Sequence, residues 1–579
     1  MSGKLAISVG MHSECGAKGS NQDFHGLIVP PEPALTAKGI AIGIADGIGS
    51  SKVSRVASES AIKSFLTDYY CTSDAWSAKT SAYRVLAAVN SWLHAQTRRS
   101  AFVHDRDQGY VCTFSGMILK STTAHLFHVG DSRIYRVNGR TLEQLTQDHR
   151  LVLAEDQSYL ARALGMSHEV EIDYLNLSIK KGDVFVLATD GVYERLASRT
   201  IVDAIRAHDG DLDEAARVIV AASLAAGSVD DRTIQIVRID DLPVGAGDEF
   251  VAQALSRALP PVPEPRQILD GYRIERQLHA SSRSHVFLAT DLDTGALVAL
   301  KAPSVDLREQ RDYLRRFMME EWIARRIDNP HVLKPYASTR ARAYLYTVSE
   351  WIDGQTLAQW MLDNPSPDLD VMRSMIEQIG VGLRAFHRKE MIHQDLRPAN
   401  IMIDRTGTVK IIDFGSARVA GVAEAGPAFQ NSDILGTAQY AAPEYFLGDE
   451  GDARSDIFSL AAIAYHMLTG RLPYGAQVAG ARTRAQQRKL VYRPATDDAR
   501  HIPPWVDRAL KKALETDPSR RYAEVSEFME DLRRPNPQFR DDAQTSLLER
   551  NPNRFWKALS AIFGLAALLQ WALHLRGVY

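Results

Sequence analysis

The stretch His393-Gln394-Asp395-Leu396-Arg397-Pro398-Ala399-Asn400 constrains this chain more than any other part of it. It sets a carboxylate that can act as a base just ahead of an amide that can ligate a cation. Asp413-Phe414-Gly415 adds a second cation-binding carboxylate, and Ala442-Pro443-Glu444 follows. Unrelated polar loops rarely fall in that order. Together they supply what phosphoryl transfer needs, a base and oxygen ligands for the metal on the phosphates.

At 579 residues the chain exceeds one ordinary hydrophobic core, and two large domains with linkers fit its length. Hydrophobic residues at 45% and charged residues at 24% are ordinary for folded protein, and the net charge of -3 gives no sign of a field that would draw nucleic acid. Nucleic acid is therefore not an implied partner. Cys15, Cys71 and Cys112 are widely spaced with no C-x-x-C, which suggests neither a disulfide framework nor a zinc site and fits a reducing cytoplasm. Met1 to Gly10 has too short an apolar run for a signal peptide.

The first 240 residues repeat one arrangement, an apolar strand that ends in Asp. Gly39-Ile40-Ala41-Ile42-Gly43-Ile44-Ala45 runs into Asp46-Gly47-Ile48-Gly49; Leu126-Phe127-His128-Val129 runs into Gly130-Asp131-Ser132-Arg133; Val184-Phe185-Val186-Leu187-Ala188 runs into Thr189-Asp190-Gly191. Asp230-Asp231 precedes the alternating Thr233-Ile234-Gln235-Ile236-Val237, and Lys18 to Asp23 form a polar loop ending in a carboxylate. Convergent carboxylates suit a pair of hard divalent cations, which take oxygen ligands and relieve the repulsion that would otherwise force protonation. Val53–Tyr70 and Ser81–Arg99 read as amphipathic helices packed on the sheets.

In this order, G-x-K-x-x-N-Q-D, D-G-x-G, G-D-S-R, T-D-G and S-x-D-D resemble the metal-dependent protein phosphatase 2C family over about residues 4 to 240. The resemblance implies a β-sandwich flanked by helices, with two Mn²⁺ or Mg²⁺ ions activating water against phosphoserine or phosphothreonine. It assigns Asp46 to bridge the metals, the Gly47 carbonyl to bind one, and Asp190 and Asp230 to bind the other. Asp23 would position the water. Asp131 and Glu194 are candidates for a third ion or for supporting hydrogen bonds. Lys18 stands where many members place a phosphate-clamping Arg, and an ammonium lacks the bidentate fork.

Residues 241–269 are rich in Pro and Gly and read as a linker, semi-rigid at Pro260-Pro261-Val262-Pro263-Glu264-Pro265. From 270 to 535, the opening motifs with Val298-Ala299-Leu300-Lys301 resemble the eukaryotic-type Ser/Thr protein kinases, a two-lobed fold that uses ATP with Mg²⁺. The resemblance makes Asp395 the base, pairs Lys301 with Glu320, puts Arg397 near the γ-phosphate, and gives Mg²⁺ to Asn400 and Asp413. Glu321 is expected to be a solvated helix charge. Ser349 takes the gatekeeper position, Glu350 lies in the hinge facing adenine, Glu444 pairs with Arg521, and Asp456 braces the catalytic loop. The segment aligned with the Gly-rich loop has His279, Ser281 and Ser284 at the glycine positions, ahead of Val286. A His there crowds the loop, so ATP binding is expected to suffer. Gln394 replaces the Arg that receives a phosphorylated activation loop, so activity is not expected to depend on phosphorylation of Ser432 or Thr437 through that residue.

Residues 536–555 read as a polar tether, and Ala558 to Leu575 is apolar but for Ser560, Gln570 and His574. As a helix it spans roughly 27 Å, enough to cross a bilayer, and the basic residues ahead of it orient the catalytic domains to the cytoplasm. A transmembrane tail anchor over 556–576 in the cell membrane is expected. The whole is expected to be a multidomain α+β chain that carries a phosphatase and a kinase, with phosphorylated and unphosphorylated proteins as substrates and its own chain as a candidate among them. The alternative is a membrane-tethered phosphatase carrying a pseudokinase scaffold.

Overall fold

The computed structural model describes residues 4–17, 19–48, 51, 53–102, 108–154, 157–243, 257–281, 283–304, 307, 310–337, 340, 342–424, 439–496 and 502–537, with 556–557, 559–560 and 563–564 beyond them. Lys18, Ser432, Thr437 and most of the expected tail anchor lie outside the described residues. Those of 556–564 that are described are helical, and no helix among the described residues is long and apolar enough to cross a membrane.

The first domain stacks two five-stranded antiparallel sheets. One has the order β1 (Ala6–Glu14), β12 (Arg232–Asp241), β11 (Val184–Ala188), β6 (Arg133–Asn138), β7 (Thr141–Gln144). The other has β10 (Asp173–Ser178), β5 (Thr123–Val129), β4 (Phe114–Lys120), β3 (Ile40–Ala45), β2 (Phe24–Ile28). A separate hairpin joins β8 (Arg150–Ala154) to β9 (Gln157–Leu160). The short α1 (Ala34–Lys38) precedes β3. Strand β3 is apolar throughout because both faces are covered: Ile40, Ile42 and Ile44 meet Phe185, Leu187 and Val237 between the sheets, while Ala41 and Ala45 meet helices α2 (Ser54–Cys71) and α3 (Ala78–Arg99). On the outer face of the other sheet, α5 (Ser198–Ala207) and α6 (Leu212–Ala225) pack over Val186, Ile234 and Ile236. Each sheet thus buries one face against the other sheet and the opposite face under a helical layer.

The second domain opens on β13 (Ile268–Leu269) to β17 (Thr347–Glu350), a five-stranded antiparallel sheet with β14 (Tyr272–Ala280), β15 (Ser284–Asp291) and β16 (Leu297–Pro303) between them. The helix α7 (Arg311–Ala324) lies beside it, and a helical lobe follows, containing α8 (Leu357–Asp363), α9 (Leu369–His387), α10 (Ala420–Ala423) and α11 (Ala453–Thr469). The linker expected over 241–269 is not all spacer. Leu259 packs against Leu314, Phe317 and Leu345, Ala258 bridges Tyr344, and β13 pairs with β14. An apolar side chain with a nearby slot is buried even where prolines keep the backbone out of a ladder.

Glu444 and Arg521 meet in the helical lobe through two hydrogen bonds of 2.7 Å, and both side chains are buried. Ser455 Oγ also donates to Glu444 at 2.6 Å. Removing the cation leaves a buried carboxylate poorly matched. Arg521→Ala is therefore expected to destabilise the second domain by about 3–5 kcal/mol, read as an earlier denaturant midpoint for that domain alone; an unchanged midpoint would contradict the burial argument.

Candidate active sites

Strand ends gather the carboxylates of the first domain. Asp46 follows β3, Asp131 follows β5, Asp190 opens the short helix α4 (Asp190–Tyr193) after β11, and Asp23 precedes β2. Asp23 Oδ2 accepts from the Thr189 hydroxyl at 2.9 Å and the Thr233 hydroxyl at 2.7 Å. Asp231 anchors the loop before β2, taking the Gly16 and Gln22 amides at 2.7 and 2.8 Å, and leaves Asp230 half-buried beside it. Gly47 is required by space, because a Cβ there would stand 2.8 Å from Ser54 Cβ. Gly191 is tighter still, with a Cβ 2.0 Å from the Asp231 carbonyl.

Burial pushes Asp23 up to about 6 and Asp190 up to about 7, the latter helped by Asp131, Asp230 and Glu194. Asp46 rises well above the usual carboxylate range, through burial and then Asp23, Asp190 and Asp131. Between these groups stands Arg150, which sequence reasoning missed. Its guanidinium binds Asp131 at 2.5 Å, Glu194 at 2.6 Å and Asp190 at 2.9 Å. It lies in β8, away from every Asp motif in sequence, so only a lone Arg in a loop-like segment could have hinted at it. Among the described residues no three acidic, His or Cys side chains surround a common point at ligand spacing. The donor set nevertheless fits divalent cations: the buried Asp23 Oδ1 and Asp190 Oδ1 accept no hydrogen bond, and Asp23, Asp190 and Asp131 crowd Asp46.

In the second domain, Lys301 Nζ stands 2.6 Å from Glu320 Oε2 and 3.6 Å from Asp413 Oδ1. Burial alone would lower this ammonium, but Asp413 and Glu320 outweigh it and raise Lys301 above the ordinary lysine value. Asn400 Nδ2 donates to the Asp395 carbonyl at 2.9 Å and to its Oδ2 at 3.1 Å. Arg397 Nε stands 3.7 Å from the same carboxylate. Burial raises Asp395, opposed by Arg397, whereas at Asp413 the neighbouring Lys301 wins over burial and lowers the carboxyl. Asp456 in α11 accepts the His393 and Gln394 amides at 2.9 and 3.1 Å and His387 Nε2 at 2.9 Å. The Asp413 charge also acts on Asp395, and the Ile412 amide beside it donates to the Asn400 carbonyl at 2.8 Å, so Lys301, Glu320, Asp395, Arg397, Asn400 and Asp413 form one group.

Two family models match the chain: Protein phosphatase 2C over residues 14–225 and Protein kinase domain over residues 272–532. The chain carries both domains. Relatives of the kinase domain include the serine/threonine-protein kinase PknB of Mycobacterium leprae, 32% identical over 46% of this chain and 43% of that protein. PknA of Corynebacterium glutamicum is 33% identical over 35% of this chain and 44% of its own length. The chain therefore spans less than half of each. Solved structures similar to parts of it include the Mycobacterium tuberculosis phosphatase PstP/Ppp, 21% identical with a TM-score of 0.34 over 41% of this chain and all of that one. The kinase domain of Mycobacterium tuberculosis PknI is 23% identical with a TM-score of 0.36 over 47% of this chain and 99% of that one.

Three expectations for the kinase domain need correction or refinement. Glu321 is not a solvated charge: it is buried and bonds Arg325 at 2.7 Å and Arg342 at 2.9 and 3.0 Å, because the adjacent face of α7 is turned inward. His279 does not crowd the loop, for it is exposed on β14 opposite Val286. It is Ser281 that alters the loop, since its hydroxyl accepts the Arg283 and Ser284 amides at 3.2 and 3.0 Å, groups that glycines would leave open to phosphate. Val286 is half-buried opposite Lys301 in the sheet. The Glu350 amide is committed to the Lys334 carbonyl at 3.0 Å and its carboxylate to Lys410 at 2.7 Å. Gln394, at φ 64°, donates to the Glu450 carbonyl at 2.9 Å.

The folded-state values of Asp23 and Asp190 lie above their unfolded ones, so the bound protons contribute stability that is complete below about pH 4 and lost as pH rises through about 6 to 7. Divalent cations need the ionised forms, so their affinity must rise over the same window. Calorimetric titration with Mn²⁺ is expected to give roughly tenfold tighter binding at pH 7.5 than at pH 5.5; a flat response would contradict it.

Proposed function

We propose that the chain is a bifunctional signalling enzyme, hydrolysing phosphoserine and phosphothreonine in its first domain and transferring the ATP γ-phosphate to protein Ser or Thr in its second. The observation that carries the kinase half is Lys301 paired with Glu320 and facing Asp413, with Asp395 and Asn400 joined nearby. In this reading Lys301 binds the α and β phosphates, Asn400 and Asp413 hold Mg²⁺, Arg397 meets the γ-phosphate, and Asp395 takes the acceptor hydroxyl proton. Ser281, Ser284 and Val286 cover the nucleotide, and the Glu350 carbonyl faces adenine. In the phosphatase half, Asp46, the Gly47 carbonyl, Asp190 and Asp230 would hold two Mn²⁺ or Mg²⁺ ions, with Asp131 behind them. Bound there, the ions supply the charge that makes water nucleophilic near neutral pH. Asp23, fixed by Thr189 and Thr233, offers Oδ1 to orient that water.

The apolar stretch 558–575 supports a single C-terminal pass through the cell membrane with both domains cytoplasmic, and resistance to alkaline extraction tests it. Phosphorylated and unphosphorylated proteins, this chain among them, are the proposed substrates. One observation favours a second reading, a pseudokinase scaffold beside a working phosphatase: Ser281 occupies the loop amides itself.

Radiolabelled γ-phosphate transfer separates the two readings. In an Asp190→Asn background, which keeps the label from being removed, Asp395→Asn is expected to lower transfer by about 10²–10⁴-fold. ATP binding with no transfer even when Asp395 is intact would favour the scaffold. Asp190→Asn is itself expected to abolish Mn²⁺-dependent phosphopeptide hydrolysis, and retained hydrolysis would exclude the proposed metal set.

A further inference from the structure

The phosphatase and kinase domains share a built interface. Lys120, the last residue of β4, has a side chain only 1% exposed, and its ammonium donates to the Gly421 carbonyl at 2.6 Å and Glu424 at 3.1 Å. A buried ammonium is tolerated only where such acceptors face it. Ala75 is fully buried within the core of the kinase helical lobe. Gly421 receives it closely, its amide donating to the Ala75 carbonyl at 2.9 Å, and a Cβ on Gly421 would stand 2.6 Å from the Asp74 and Trp76 carbonyls.

Two kinase carboxylates cap the start of α3. Glu390 accepts the Ser77 amide at 2.7 Å and the Thr80 hydroxyl at 2.5 Å, and Glu424 accepts the Ala78 amide at 2.8 Å. These are amides that a helix N-terminus leaves without internal partners. On the other side, Asp74 takes the Arg326 guanidinium at 2.7, 3.1 and 3.2 Å, and that guanidinium lies 3.6 Å over the Trp322 ring.

The kinase residues held are not arbitrary. Arg326 follows the C-terminal end of α7, the helix that presents Glu320 to Lys301. Gly421 and Glu424 belong to the segment that begins just after Asp413-Phe414-Gly415. We propose that the phosphatase face formed by residues 74–80 and Lys120 is an allosteric clamp on the kinase domain of the same chain, holding α7 and the start of the activation segment in the transfer-competent arrangement. The proposal rests on the kinase reading above. On this proposal docking favours the arrangement in which Lys301 meets Glu320, and by linkage that arrangement favours docking to the same extent.

Charge exchange tests it in the full chain. Asp74→Arg alone and Arg326→Asp alone are each expected to speed hydrogen exchange in Arg311–Ala324 and to cut γ-phosphate transfer about fivefold or more, measured in the Asp190→Asn background, and the double exchange is expected to restore both. Gly421→Ala should act like the single variants, while phosphopeptide hydrolysis by Asp74→Arg in the otherwise native chain should stay at its native rate. Unchanged exchange in α7, or transfer that stays level or rises, would overturn the clamp. If the native chain transfers no phosphate, the kinase reading fails by itself, and exchange in α7 still decides whether the domains are coupled.

Discussion

The Asp456 carboxylate is almost entirely enclosed, and the donors that face it fix the loop that carries Asp395. Two backbone amides and one imidazole satisfy oxygens that could not otherwise leave water. Because the acceptor sits in the long apolar helix α11, the loop takes its position from the hydrophobic core. The same economy of buried charge recurs at Glu444 with Arg521, at Glu321 with Arg342, and at Lys301 between Glu320 and Asp413. Each pair ties together separate segments of the fold, and its loss leaves one charge stranded.

The acidic site of the first domain meets that constraint differently. Its carboxylates converge because strand ends converge, and their protons and Arg150 offset the repulsion. Strand polarity also separates this site from the kinase. Asp46 and Asp131 lie at the Phe114 end of β4, whereas Lys120 at the other end meets Gly421 and Glu424. Seven residues of extended strand place these ends roughly 20 Å apart. The docked face is therefore the one remote from the acidic cluster, and a tether that raises local concentration does not by itself bring the two sites face to face.

The strands ending in Asp and the run from His393 to Asn400 were legible because each is a local pattern: apolar alternation or continuity, then a turn, then a functional side chain. The partners were not. Nothing local marks Arg150 as the cation among Asp131, Asp190 and Glu194, and nothing local tells Glu320 from Glu321 beyond which side of α7 each occupies. Adjacent helix positions point in different directions, which suggests a solvated Glu321, yet Arg342 closes over it from another segment. The size of His279 suggests crowding, whereas that side chain is exposed on the sheet and the smaller Ser281 engages the backbone.

By itself the sequence determined that there are two domains, which strands would be buried on both faces, and which residue types would gather for phosphate chemistry, since all of these depend on spacing along the chain. Only the tertiary structure decided the counter-ions, the fate of the loop amides at Ser281, and the seating of Ala75 and Lys120 against the kinase lobe. The physical reason is that burial and charge pairing are set by whatever folds over a residue, and those neighbours are not fixed by spacing along the chain: Lys120 and Asp74 meet partners more than 250 positions away.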